Sequence, residues 1–308
     1  MSIADVWTSG GEAARAACVI TTTWNSIDLI ETFLAHYQRL GFDQVMAMDF
    51  DSTDGTRDVL ASAQWREFVT LVPFPGIASL DSSNLMLAIA QRDRRYTWCL
   101  FCDPDELLAT PAMTVGDLLD GGGNGGSRSV PRFNMTAPLS VALRGTGPFS
   151  HVVYLTLRID RRALRSPERD ISKARLDPPW IFTDIPGKVF VRLDETIAIG
   201  DGDHIARTTR EGLSAAPPGA SLLHYPFRRY ETFREKIELA RRGFAANGHL
   251  PQAWGWQLRR WITLADSGQL NQEYLQQFIP DEQVAHLVED RTLYRDERVS
   301  RFHDAPSR

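Results

Sequence analysis

Four short apolar runs set the terms on which this chain can fold: 18–23 (CVITTT), 44–48 (QVMAM), 68–72 (FVTLV) and 97–102 (TWCLFC). Between them, apolar residues recur at helical spacing. Ile27, Ile30, Phe33, Leu34, Tyr37 and Leu40 share one helix face, and Gly41 supplies a stop. Asn25 or Ser26 is placed to cap that helix. A short helix is expected over 56–63, and another opens at Ser82 or Ser83 and runs over Leu85, Met86 or Leu87, Ile89 and Ala90. Such alternation implies right-handed β-α-β crossovers and a parallel, Rossmann-like sheet. Ligands of such sheets sit beyond the carboxyl ends of the strands. Asn25, the turn-rich 49–55 (DFDSTDG) and the acidic 103–106 (DPDE) all fall at such ends.

The second half is less regular. Residues 121–127 (GGGNGGS) contain the spacing G-x-G-x-x-G, but they follow an expected helix, 115–120, instead of a strand. They therefore lack the context of a dinucleotide fingerprint and read as a surface loop. Residues 151–159 and 188–193 alternate like strands of a mixed sheet, 215–219 is a loop and 221–224 a last short strand. Helical spacing returns over 229–247, with Tyr230, Phe233, Ile237, Ala240 and Phe244 on one face. The expected organisation is a lead-in (1–17), one α/β domain (18–250, with halves 18–110 and 111–250) and a helical extension (251–308). The fold class is α/β, a mixed central sheet flanked by helices with a helical C-terminal region.

Composition narrows the function. With 34 Lys+Arg against 39 Asp+Glu, the 308-residue chain carries a formal charge of −5. That argues against broad nucleic-acid binding, which needs a basic face to displace counterions. The clusters Arg92/Arg94/Arg95 and Arg158/Arg161/Arg162/Arg165 read as solvated faces. Cys18, Cys99 and Cys102 lie in apolar runs and are expected to be small buried residues, in keeping with a reducing compartment. Cys99-x-x-Cys102 lacks the second pair of a zinc site. No secretory signal is visible, and no apolar stretch approaches 18 residues. The expectation is a cytoplasmic protein without a transmembrane segment, with peripheral contact at the inner membrane face if its acceptor is a lipid.

Three carboxylates in four residues, Asp103-Pro104-Asp105-Glu106, repel one another unless solvated or neutralised by a cation. Hard divalent ions such as Mg²⁺ or Mn²⁺ take such oxygen ligands; a solvated turn is the alternative. His224 closes a short apolar strand, and imidazole with carboxylates suits Mn²⁺, although an isolated histidine there also serves as a hydrogen-bonded structural residue. Lys236 reads by itself as helix-surface charge. Asp201-Gly202-Asp203-His204 is a glycine-bearing turn whose carboxylate or imidazole could take a proton, and Asp203 is the candidate catalytic base. Lys188 faces either phosphates or solvent. Trp180, Trp254 and Trp256 offer faces for sugar stacking or for core packing.

The runs ETFLAHYQRLGFDQVMAMDFDSTDGT, WCLFCDPDELL and LLHYPFRRYETFREKI, in that order, resemble the bacterial GT-A glycosyltransferases of the family 2/family 92-like type. The resemblance spans about residues 19–243. It implies a GT-A fold and a metal-dependent transfer, mostly inverting, of a sugar from a UDP- or GDP-type donor to a saccharide or lipid-linked acceptor. It also implies roles. Thr21, Thr22, Thr23, Asn25 and Asp49 would hold base and ribose. Asp103 and Asp105 would form the Asp-x-Asp pair, His224 would be a further metal ligand, and Lys236 would approach the diphosphate. Arg132, Phe133 and Asn134 resemble an acceptor-facing segment. Where relatives read Asn-Glu after the first strand, this chain reads Asn25-Ser26. Two alternatives stay open: a sugar nucleotidyltransferase, whose Gly-rich phosphate loop is not seen at 21–25, and a non-catalytic carbohydrate- or partner-binding module.

Overall fold

A computed structural model describes residues 16–73, 82–120, 127–144, 153–156, 179–209, 214–246 and 255–305. The chain opens with β1 (Ala17–Thr23), α1 (Ile30–Arg39), β2 (Gln44–Asp49), α2 (Thr56–Leu60), β3 (Val69–Pro73), α3 (Ser82–Arg92) and β4 (Trp98–Phe101). Next come β5 (Glu106–Ala109), α4 (Gly116–Asp120), β6 (Ser127–Val130), β7 (Arg132–Thr136), α5 (Leu139–Leu143) and β8 (Tyr154–Thr156). The strands β9 (Lys188–Arg192), β10 (Thr196–Ile199), β11 (Ala206–Thr208), β12 (Ser214–Ala215) and β13 (Ser221–His224) follow. The described chain ends with α6 (Tyr230–Ala246), α7 (Trp256–Asp266), α8 (Leu270–Leu275), α9 (Asp281–Glu289), β14 (Leu293–Arg295) and α10 (Arg298–Asp304). Several expected features lie outside the described residues: most of the lead-in, the glycine-rich 121–126, both ends of the strand over 151–159, the arginines at 158–165, and Trp254.

Two compact units share the chain. The first takes Met1–Pro104, Thr110–Val130 and Lys188–Ala220; the second takes Asp105–Ala109, Pro131–Gly187 and Ser221–Arg308.

The first unit holds a seven-stranded mixed sheet, ordered β12-β6-β9-β4-β1-β2-β3. The expected parallel block is there, since β4, β1, β2 and β3 run parallel. Their sequences are nearly unbroken apolar runs because strands of this kind are covered on both faces. Cys18, Val19, Met46, Cys99 and Leu100 are all fully buried. β9 enters antiparallel between β4 and β6, which makes the sheet mixed. Helix α1 buries Ile30, Phe33, Leu34 and Tyr37. Gly41, at φ 88, makes the left-handed turn that ends its course. Neither Asn25 nor Ser26 caps α1 through its side chain. The helix starts at Ile30, and the main-chain N–H groups of Leu29 and Ile30 donate to the Ser26 carbonyl. Ile27, expected on the buried face, lies ahead of the helix and is 45% exposed.

The second unit has a five-stranded sheet, β14-β8-β7-β13-β5, and an aromatic core of Trp180, Phe227, Phe233, Trp256, Trp261, Tyr274 and Phe278. Glu106 does not sit in a solvated turn; it begins β5, opposite His224 of β13. The C-terminal region is helical as expected, except that β14 adds a strand antiparallel to β8. Among the described residues no helix is long and apolar enough to cross a membrane.

Candidate functional site

The carboxyl ends of β1, β2 and β4 gather the first unit's polar groups. Along β1, alternation puts Thr21 and Thr23 on one face and Thr22 on the other. Thr21 and Thr23 are buried, and their hydroxyls find no hydrogen-bond partner among the described residues. A buried hydroxyl left unpaired costs about 1–3 kcal/mol. Thr23 lies in register with Asp49 at the end of β2. Asp49 is fully buried, and its carboxylate accepts from the Ser52 hydroxyl and main chain, folding the following loop. Asn25, at φ 47, braces the same loop. Its main-chain N–H donates to Ser52 Oγ at 2.9 Å, and its Oδ1 accepts from the Thr53 main chain at 2.8 Å. Asn25 and Asp49 thus meet through one loop.

Asp103 follows β4, and its Oδ2 accepts from the Lys188 ammonium at 2.9 Å. The same ammonium lies 3.1 Å from the Gly202 carbonyl and 3.6 Å from Asp203 Oδ2. Lys188, for which the sequence offers solvent or phosphate, is instead buried among oxygens. Asp203 adopts φ 62 and accepts from the Ser83 hydroxyl.

In the second unit the acidic run meets cations of the protein itself. Glu106 forms a buried ion pair with Arg132. Asp105 Oδ2 lies 3.3 Å from Lys236 Nζ, 3.5 Å from Arg228 Nη1 and 3.7 Å from His224 Nε2. Burial raises the Asp105 carboxyl, but the neighbouring cations, the Lys236 ammonium foremost and then the Arg228 guanidinium, hold the group well below the usual carboxylate range. His224 goes the other way. Burial pushes its imidazole down to about 4, against the pull of Asp105, so the ring is neutral at pH 7.

Asn134 settles which ring nitrogen carries the proton. Its amide nitrogen donates to the Ile181 carbonyl at 3.1 Å, which leaves Oδ1 facing His224 Nδ1 at 2.8 Å. That oxygen can only accept, so Nδ1 carries the hydrogen and the Nε2 lone pair faces Asp105. Ligand atoms of Asp105, Glu106 and His224 all lie within 4.8 Å of one another, close enough to share one cation. A neutral imidazole with carboxylates, its second nitrogen held by an outer amide, is a donor set that suits Mn²⁺. The residues fit the metal that the sequence resemblance implies.

Sequence reasoning puts Arg132 and Asn134 in an acceptor-facing segment; both are instead buried, on Glu106 and His224. It also missed Arg228, whose only signal is its place four residues after His224 and eight before Lys236. Trp180 and Trp256 are buried in the aromatic core, so packing claims them.

No protein-family model matches the sequence, and no curated protein matches it. Solved structures do. Staphylococcus aureus TarS 1-349 in complex with UDP-GlcNAc is 12% identical, over 86% of this chain and 82% of that one, with a TM-score of 0.38. The mannosyltransferase PcManGT from Pyrobaculum calidifontis, in complex with GDP-Man and Mn²⁺, is 16% identical over 92% and 79%, at 0.34. Glucosyl-3-phosphoglycerate synthase from Mycobacterium tuberculosis, with phosphoglyceric acid, is 19% identical over 63% and 64%, at 0.32. The chain spans 43% of a longer TarS structure. These likenesses are loose, and the roles of residues rest on the contacts described above.

Proposed function

We propose that this chain is a metal-dependent glycosyltransferase of the GT-A, family 2/family 92-like type. It moves a sugar from a UDP- or GDP-type donor to the hydroxyl of a saccharide or lipid-linked acceptor, with inversion, in cytoplasmic synthesis of surface polysaccharide or glycoconjugate. The observation that carries this reading is the pairing of Asp105 with a neutral His224 whose lone pair faces it.

Asp105, Glu106 and His224 would hold Mn²⁺ or Mg²⁺, which when bound offsets negative charge on the departing diphosphate. The protein's own residues supply the rest. Asn134 fixes the His224 ring, and burial keeps it unprotonated. Lys236, with about half of its side chain exposed, is the cation assigned to the diphosphate. In the first unit, the unpaired hydroxyls of Thr21 and Thr23 favour a polar ligand at the end of β1. With Thr22, Asn25, Asp49 and Asp103 they are assigned to the nucleotide. Asp49 and Asn25 act by shaping the 50–53 loop. Asp103, another proposed ligand of the metal, presents a carboxylate with 40% of its side chain exposed. Inversion requires a base for the acceptor hydroxyl, and Asp203 is assigned that role; help of this kind contributes about 10²–10⁴-fold.

Calorimetric titration with UDP, GDP and CDP, with and without Mn²⁺, tests the reading. Binding of one nucleotide that strengthens with Mn²⁺ and is lost in Asp105→Ala is the expected result. Equal affinity in EDTA and Mn²⁺ would contradict it. Turnover of a sugar 1-phosphate with a nucleoside triphosphate would show a nucleotidyltransferase instead.

A further inference from the structure

We propose that Lys188 is a positioning residue, an internal counter-ion that fixes Asp103 and Asp203 together. Its bearing on donor binding rests on the assignment of Asp103 above.

Lys188 opens β9, and its side chain is 2% exposed. An ammonium taken out of water is tolerated only when paired and hydrogen-bonded. Lys188 has three N–H donors, and the oxygens that face it include Asp103 Oδ2 at 2.9 Å, the Gly202 carbonyl at 3.1 Å and Asp203 Oδ2 at 3.6 Å. The turn carrying two of these oxygens is left-handed at Gly202, φ 65, where glycine is at ease, and at Asp203, φ 62, where a side chain is not. A non-glycine residue stays left-handed only where its surroundings over-determine it. Here α3 supplies the other restraints. Ser83 donates to Asp203 Oδ1. Asn84 brackets Ile199, accepting from its N–H at 2.8 Å and donating to its carbonyl at 3.0 Å.

One ammonium between two carboxylates leaves a trio of net charge −1. That charge is presented unevenly, because the Asp103 side chain is 40% exposed and that of Asp203 is 16% exposed. Without the ammonium, the two carboxylates lose the cation they share, and both the left-handed turn and the end of β4 lose a common anchor. Lys188 therefore sets the direction in which Asp103 offers its carboxylate, without itself touching a ligand.

Thermal unfolding without nucleotide tests the trio directly. Lys188→Met lowers the midpoint. Adding Asp203→Asn to that variant is expected to cost less than Asp203→Asn costs in the wild type, because the ion pair with Lys188 is already gone. Strictly additive losses would overturn the proposal. Should Lys188→Met not fold, the single and double variants of Asp103→Asn and Asp203→Asn decide the same point. Their double variant strands a buried ammonium and must lose more than the sum; a plain sum overturns the proposal.

The functional arm uses UDP and GDP with Mn²⁺. Folded Lys188→Met is expected to bind the wild type's preferred nucleotide about tenfold more weakly or worse, the scale of losing a charged hydrogen bond. Lys188→Arg should recover most of that affinity. Full affinity in Lys188→Met overturns the positioning role. If the wild type binds neither nucleotide, the proposed function fails, and the unfolding cycle alone decides the place of Lys188.

Discussion

An asparagine decides which nitrogen of His224 faces Asp105, and that makes Asn134 a residue with a measurable job. Asn134→Ala removes the acceptor for Nδ1–H and frees the ring to take the other tautomer. Losing an outer partner of this kind typically costs 10–100-fold in metal affinity, so about that loss is expected in a Mn²⁺ titration. Folding itself should survive. A second prediction concerns acid. His224 is held near 4 in the folded protein, below the ordinary 6.5. The unfolded chain therefore takes up a proton that the folded chain refuses as pH falls from about 6.5 to about 4. The stability His224 contributes is fully present above 6.5 and lost through that window, to a total of about 3 kcal/mol. Denaturant unfolding in EDTA across this range should show the loss in the wild type and a flatter profile in His224→Gln. At this scale the sequence reveals candidates but not partners. Asp105 and His224 stand out because strand ends expose them in the pattern. Nothing in the order of residues tells that Arg132 belongs to Glu106, or that Arg228 shares an oxygen with Lys236. The first pairing follows from β13 lying between β5 and β7, and the second from residues beyond β13 reaching back to Asp105.

The elements themselves follow local rules, and they depart from them where the main chain does what a side chain was expected to do. Periodicity locates α1, α3 and α6 because each must bury one face. The start of α1 is not legible. Asn25 and Ser26 are both good capping residues, yet the loop after β2 claims Asn25 and a backbone turn serves the helix. The start of α7 is set by sterics. Gly255 is its N-cap, at φ 61, and a Cβ there would sit 2.7 Å from Phe244 Cζ, on a ring that also carries the Arg259 guanidinium at 4.1 Å. Gly255→Ala therefore incurs both the left-handed penalty and a ring clash. A loss of about 1–3 kcal/mol is expected from urea unfolding. Gly268 has a similar φ of 72 but nothing within 4 Å of its added Cβ, so Gly268→Ala should show the backbone part alone.

On the scale of the whole chain, the sequence order conceals how strands are shared. Reading β-α-β units forward yields β1, β2 and β3 side by side and puts β4 in the same parallel block, where it joins on the far side of β1. It cannot show that β9, arriving some ninety residues after β4, enters the same sheet between β4 and β6, nor that β5 leaves for the second sheet straight after Asp105. Antiparallel insertion of a distant strand leaves no periodic trace. It does leave a testable consequence. Val130, the last residue of β6, pairs with Lys188, the first of β9. Residues 131–187 are thus an excursion between two strand ends already opposite each other, and a two-residue Asn-Gly turn can close an antiparallel pair at that point. A chain of residues 1–130, Asn-Gly and 188–220 keeps all seven strands of the first sheet. It should unfold cooperatively by circular dichroism, once Leu107 and Leu108, buried in the second unit, are replaced by serine to avoid exposing them. A chain ending at residue 130 lacks β9. Its β4 and β6 then have no strand between them to satisfy their main-chain groups, and it should show no cooperative transition. If both chains melt alike, β9 is not the strand that completes the first sheet.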